Sequence, residues 1–372
     1  MTIDVHSVQD AELVQLLTPE GERLEHPDYP LSLSDQQIRE LYRDLVVVRA
    51  LDREAVALTR QGELGLWPSL LGQEAAQVGS GRAMGAHDMV FPTYREHGVA
   101  FCRGLPFLEI LKMFRGVNHG SWDPKEFGFH LYTIVIGSQA LHATGYAMGI
   151  QRDGFQENGI GDAAIAYFGD GATSQGDVNE AFVWAAVYNA PVVFFCQNNQ
   201  WAISEPLERQ TKIPLYRRAQ GFGFPGIRVD GNDVLATLAV TRRALDLART
   251  GQGPTLIEAF TYRMGAHTTT DDPTRYRHSD ELEAWKLKDP IARVKAYLSR
   301  SGLAVADFFD EVDAEAKAAS RTLREACLAL PDPAVSAMFE HVYRAPHQQL
   351  DEEQAAYEAY LAGFETTAGS GD

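Results

Sequence analysis

"FGDGATSQGDVNEAFVWAAVYNAPVVFFCQNNQWAIS", Phe168 to Ser204, is the stretch on which the fold turns. An apolar run, Ala163–Phe168, enters it and stops at Gly169. Asp177–Tyr188 carries apolar residues at helical spacing, and Pro191–Cys196 is β-branched and aromatic. Strands alternating with helices imply parallel strands covered by helices on both faces. Working outward, Val234–Arg249 reads as a helix stopped before Gly251, and Thr255–Tyr262 as a further strand. Upstream, Ser34 and Gln37 form a capping-box pattern, and the helix they start should end near Gly62. From about Asp280 the chain is charged and helix-favouring, and no strand is expected among residues 280–345. The fold class is therefore α/β, a parallel sheet with helices on both faces, with helical segments before and after it. The divisions expected are an arm over the surface (1–33), the α/β domain with its leading helix (34–279), a helical C-terminal segment (280–365) and a disordered tail (366–372).

The 372 residues are 45% hydrophobic and 23% charged, ordinary for a globular protein. A formal net charge of −18 argues against nucleic acid or an anionic membrane as partner. No apolar stretch approaches the length of a bilayer span, and the acidic N-terminus has no signal core. The three cysteines, Cys102, Cys196 and Cys327, form no metal-type pair. Unpaired thiols suit a reducing cytoplasm, which is the expected location.

In a parallel strand–helix–strand unit the two strand C-termini lie side by side, and ligands bind at that edge. Asp170 follows the first strand of the opening stretch and Asn199 follows the second. Alone, Gly-Asp-Gly is an ordinary turn; the pairing across one such unit is what carries the reading. Two hard oxygen ligands with room left over suit Mg²⁺ holding phosphate oxygens and water. Gly169 and Gly171 clear side chains from where a bulky anion would approach, and the N-terminus of the following helix would face it with free N–H groups.

At these residues the chain resembles the thiamine-diphosphate signature. It is similar, more specifically, to the α subunit of the decarboxylating first component of 2-oxo acid dehydrogenase complexes, of pyruvate or branched-chain type. Seven motifs between about Leu33 and Pro290 carry the resemblance in order: "RQGELG", "GQEAAQVGSG", "PTYREHG", "IGSQALHATG", "GDGATSQGD", "QNNQWAIS" and "TYRMGAHTTTDDPTRYR". The resemblance implies that Asp170, Asn199 and the backbone carbonyl of Trp201 ligate Mg²⁺. It implies that Tyr94, Arg95, Arg263 and the backbone of Gly169, Gly171 and Ala172 hold the diphosphate. Ile134 and Ile136 would offer backbone groups to the aminopyrimidine, and Ile203 would prop the cofactor in a bent shape. Relatives often have tyrosine at Trp201 and two histidines where this chain has Ala266 and His267. Thr268 stands where some carry a regulatory phosphoserine, which puts kinase control in doubt.

Read from residues alone, Ile203 could equally be an ordinary core isoleucine, and His142 is structural. A lone loop histidine is more often inert than catalytic; the resemblance is what makes His267 the expected catalytic residue, its imidazole able to give a hydrogen bond or a proton to the substrate. After residue 265 no second series of strands and helices appears to carry the glutamate that activates the aminopyrimidine. The resemblance therefore implies a separate β subunit, an α2β2 heterotetramer, a small-molecule 2-oxo acid and acyl transfer to the lipoyl group of an acyltransferase component. Pyruvate is placed first, branched-chain 2-oxo acids close behind, and acetoin cleavage stays open. A Mg²⁺-dependent phosphohydrolase using Asp170, with Asp177 nearby, and a non-catalytic binding module are the readings from other classes.

Overall fold

Six backbone positions of one strand, Ala164–Gly169, pair in parallel register with Val192–Gln197 of the next, and the rest of the sheet grows from this pair. In the computed structural model, which describes residues 13–118, 122–154, 161–340 and 342–368, five parallel strands form the main sheet. They are β1 (Met89–Phe91), β2 (Ala164–Gly169), β3 (Val192–Asn198), β6 (Gly226–Asp230) and β7 (Thr255–Phe260), in the order β1-β2-β3-β7-β6. Between β3 and β6, β4 (Trp201–Ala202) and β5 (Glu205–Pro206) make a minimal antiparallel hairpin.

The strands bury both faces, as their unbroken apolar composition demands. Ile165, Tyr167, Val193, Phe195 and Ile257 point to one face, where they meet the core of α1 (Asp35–Arg60), α2 (Glu74–Ala83) and α10 (Val234–Arg249). Their neighbours Ala164, Ala166, Phe168, Val192, Phe194 and Cys196 point to the other, against α6 (Ser138–Asp153) and α7 (Gly176–Tyr188). This is the α/β sandwich expected from the sequence. Ser34 caps α1 with the reciprocal Gln37 bond, and Asp233 caps α10 by accepting from the Leu235 and Ala236 amides.

Shorter helices complete the sheet layer: α3 (His97–Cys102), α4 (Phe107–Arg115), α5 (Pro124–Phe127), α8 (Leu207–Gln210) and α9 (Arg218–Phe222). Beyond β7 the described chain is helical: α11 (Ser279–Lys286), α12 (Pro290–Arg300), α13 (Ala306–Leu328) and α14 (Gln348–Ala368). Both α12 and α13 pack on α1. Of the tail expected to be disordered, 369–372 lie outside the described residues, while 366–368 close α14.

Two local readings differ from expectation. Residues 14–17 do not lie over the surface: Val14 bridges Val229 beside β6, and Leu16 and Leu17 are buried. Their amides donate to Asp233 at 2.7 and 2.6 Å, so a buried carboxylate far along the chain anchors the arm. Between β2 and α7 comes a 3-10 turn, Asp170–Ser174, so the N–H groups of Gly171 and Ala172 belong to that turn and not to α7. Among the described residues no helix is long and apolar enough to cross a membrane.

Candidate active site

Four strand ends feed one cleft of about 240 Å³. The loop after β1 brings Tyr94 and Arg95; β2 ends at Gly169 and delivers Asp170, Gly171 and Ala172. Asn199 follows β3, with Trp201 and Ile203 on the hairpin, and Arg263 and His267 follow β7. Ile136 also lines the cleft, whereas Ile134, on the same loop, is 61% exposed and does not. A parallel sheet aligns all its C-termini, which is why residues from 94 to 267 meet here.

Asp170 is buried, and desolvation pushes its carboxyl up to about 6, against the opposing pull of a hydrogen bond from Gln210 and the nearby Arg263 charge. Asn199 has a fixed amide orientation: its Oδ1 accepts from the Trp201 N–H at 3.3 Å and its Nδ2 donates to Gln73 Oε1 at 3.1 Å. The Trp201 carbonyl accepts from Arg263 at 2.9 Å, which leaves its second lone pair available. Among the described residues no three His, Cys, Asp or Glu side chains cluster as metal ligands. A cation here must therefore use one carboxylate and neutral oxygens, a set that suits Mg²⁺. Asp177, the second carboxylate of the phosphohydrolase reading, is exposed at the start of α7 and off the cleft, so that reading loses its support.

Beside these oxygens the cleft is cationic and unbalanced. Arg95 donates to the carbonyls of Ser69 (2.5 Å) and His267 (2.8 Å), and Arg263 to those of Trp201 and Ile203 (2.7 Å). No carboxylate among the described residues lies within ion-pair distance of either guanidinium. Burial, then repulsion from Arg95, lowers Arg263 to about 10, and burial lowers Arg95 as well. The Arg263 Nε is buried without a partner. Two buried arginines facing one space, held by neutral acceptors and by no carboxylate, form a receptor for a polyanion. At Gly171 a Cβ would stand 2.7 Å from that of Ala202, so only glycine lets the chain pass this close to the cleft.

His267 differs from its expected character. Burial and the two arginines hold its imidazolium down to about 3, so it is neutral at pH 7 and not a proton donor poised near neutrality. Its Nδ1 faces Arg95 Nη2 at 3.2 Å and Arg263 Nη1 at 3.5 Å. Both are donors only, so Nδ1 must accept and the ring proton sits on Nε2. The Tyr94 ring meets His267 edge-on at 6.1 Å.

Ile203 is not a core isoleucine: it is 54% exposed, lines the cleft and has φ of 54°. It is the first residue of the two-residue β4–β5 loop, a position usually given to glycine or asparagine because φ is positive there. A β-branched residue in this region costs about 1–3 kcal/mol. We expect Ile203→Asn to raise cofactor-free stability by about 1 kcal/mol while lowering turnover. Thermal unfolding and an activity assay check this, and a loss of stability would contradict the strain.

Several residues in or behind the cleft were given no role in the sequence reading. Glu96 is buried and accepts from the Thr93 N–H (2.6 Å), the Thr93 hydroxyl (2.7 Å) and Gln197 (2.6 Å), which locks the loop bearing Tyr94 and Arg95. Asp52, from α1, accepts from Trp67 Nε1 (2.8 Å), the Ser69 hydroxyl (2.5 Å) and the Leu70 N–H (3.1 Å), fixing the loop whose Ser69 carbonyl holds Arg95. Asp52→Ala strands two buried donors and frees the half-buried Ser69 hydroxyl, and is expected to cost about 2 kcal/mol, at roughly 1 kcal/mol per buried donor, read by denaturant unfolding. Gln73, Gln139 and Gln210 were also missed. Uncharged amides have no local pattern, and their partners lie far away in sequence.

A parallel sheet that gathers metal-type oxygens and paired arginines at one edge defines a cofactor-dependent α/β enzyme. Residues 42–327 match the dehydrogenase E1 component family, and the chain belongs to it, as an α-type chain of the 2-oxo acid dehydrogenases. Over 348 residues it is 46% identical to the 3-methyl-2-oxobutanoate dehydrogenase subunit alpha of Mycobacterium tuberculosis, covering 93% of this chain and 94% of that protein. It is 39% identical over 348 residues to the pyruvate dehydrogenase E1 component subunit alpha of Staphylococcus aureus, covering 93% and 92%.

Proposed function

We propose that this chain is the α subunit of a thiamine-diphosphate- and Mg²⁺-dependent enzyme that oxidatively decarboxylates a short aliphatic 2-oxo acid. The observation that carries the reading is the pairing, in one cleft, of two buried arginines lacking carboxylate partners with the oxygens of Asp170, Asn199 and Trp201. The arginines would suit a diphosphate and the adjoining oxygens a divalent cation. When bound, thiamine diphosphate supplies the electron sink for decarboxylation.

The chain's own residues bind and orient. Arg95, Arg263 and Tyr94 would hold the anionic tail, with Gly169, Gly171 and Ala172 allowing close approach. Asp170, Asn199 and the Trp201 carbonyl would hold Mg²⁺. Ile203 would back the rings and Ile136 would border them, while Ile134 lies off the cleft. His267, as its Nε2–H tautomer, would donate to oxygen charge developing on the substrate. Glu96 lines the cleft but already takes three donors, so the carboxylate that activates the aminopyrimidine must come from a β subunit. An α2β2 assembly in the cytoplasm, passing its acyl group to a lipoyl-bearing acyltransferase, completes the reading. The higher identity to the branched-chain relative moves 3-methyl-2-oxobutanoate ahead of pyruvate, which the sequence reading had placed first.

The test is ferricyanide reduction by the chain with and without its co-expressed β subunit, with thiamine diphosphate and Mg²⁺ added. Pyruvate, 3-methyl-2-oxobutanoate and acetoin are compared. Turnover of a 2-oxo acid only by the assembled pair supports the proposal; full turnover by the lone chain, or turnover of acetoin alone, defeats it.

A further inference from the structure

Each side chain assigned to the metal is held by a glutamine from a distant part of the chain. Gln73, fully buried at the start of α2, accepts from Asn199 Nδ2 at 3.1 Å. Gln210, at the end of α8, donates to Asp170 Oδ2 at 2.8 Å. In neither pair can the amide be turned around. The Trp201 N–H needs Asn199 Oδ1 as its acceptor, so Nδ2 must face Gln73, which presents oxygen. Gln210 Nε2 also donates to the Glu205 carbonyl at 3.2 Å, so it is the nitrogen that meets Asp170. The remaining amide atoms, Gln73 Nε2 and Gln210 Oε1, are buried without partners.

We propose that Gln73 and Gln210 are positioning residues for the metal: Gln73 turns the Asn199 amide oxygen toward the cation, and Gln210 fixes Asp170 by one oxygen so that the other is left to bind. The proposal rests on the magnesium reading above. An amide presented nitrogen-first cannot ligate a cation, so the acceptor at Gln73 sets the sign of the Asn199 contribution. Partners of this kind commonly govern metal affinity by 10–100-fold.

The two glutamines act in opposite senses, which gives a signature that packing alone would not produce. Glutamate at 73 keeps the acceptor that Asn199 needs, whereas glutamate at 210 removes the donor and sets a like charge against Asp170. The probe is Mn²⁺, titrated into the α chain assembled with its β subunit at saturating thiamine diphosphate, with free ion read by electron paramagnetic resonance. Gln73→Met and Gln210→Met, which keep the volume, should each weaken binding at least about tenfold. Gln73→Glu should restore it to within about fivefold of wild type, and Gln210→Glu should lose as much as Gln210→Met. Methionine variants within fivefold of wild type, or a Gln73→Glu variant as weak as Gln73→Met, overturn the proposal. Asp170→Ala is the separate control: if it leaves Mn²⁺ binding intact, the magnesium reading itself fails and takes the proposal with it.

Discussion

Asp170→Asn is expected to lower cofactor-dependent turnover by at least about 10³-fold without unfolding the protein. Asparagine has the same shape and can still accept from Gln210, which now meets the carboxylate at 2.8 Å. What disappears is the only formal charge among the assigned metal ligands. A hard divalent ion loses most of its protein attraction when its single carboxylate becomes an amide. The same substitution should not weaken the metal-free protein. Burial raises Asp170 to about 6, above its ordinary value of 3.8, so the native state holds that proton more tightly than the unfolded state does. Stability of the metal-free chain therefore falls as pH rises from about 4 to about 6, by on the order of 2–3 kcal/mol from this group, and stays lower above that window. The asparagine variant lacks this loss, so at pH 7 it should unfold at the same temperature as the metal-free parent or a higher one. In the parent, Mg²⁺ affinity should weaken as pH drops below about 6, because the proton competes for the same oxygen. Turnover within tenfold of the parent, or a clear drop in metal-free melting temperature, would tell against Asp170 as the metal's anchor.

The second large effect is expected at Arg263. Arg263→Met should weaken thiamine diphosphate binding by at least about 100-fold, or about 3 kcal/mol, through loss of buried charge-assisted hydrogen bonds. The guanidinium is 1% exposed, held by two carbonyls and, at 3.3 Å, by the Tyr276 hydroxyl. Burial and Arg95 both work against its charge. That unfavourable energy is released when an anion with several oxygens enters between the two arginines. Lysine should recover only part of the affinity, because a point charge cannot reach two carbonyls and a phosphate oxygen with one planar fork. Added salt should change the parent's affinity weakly, since buried charges are poorly screened. Cofactor titration by calorimetry reads all three results. An Arg263→Met variant that binds the cofactor as the parent does would remove the polyanion reading of this wall.

The two stretches Ala163–Phe168 and Pro191–Cys196, separated by a helix, announced a parallel sheet, because strands that alternate with helices must run parallel beneath them. With the helix between them, they also placed Asp170 and Asn199 at one sheet edge, and ordered motifs supplied Arg95, Arg263 and His267. These are local properties: residue type, spacing and strand direction are written in consecutive positions. What the tertiary structure alone decided is the state of those groups. The neutral form of His267 follows first from burial and then from Arg95, 172 positions away, which also sets the Nε2-protonated tautomer. The direction in which the Asn199 amide points is set jointly by the nearby Trp201 N–H and by Gln73, 126 positions away, and the hold on Asp170 comes from Gln210, 40 positions away. Charge state, tautomer and amide orientation depend on which donors and acceptors arrive from elsewhere and on how much water they displace, and neither quantity exists until the chain has closed on itself.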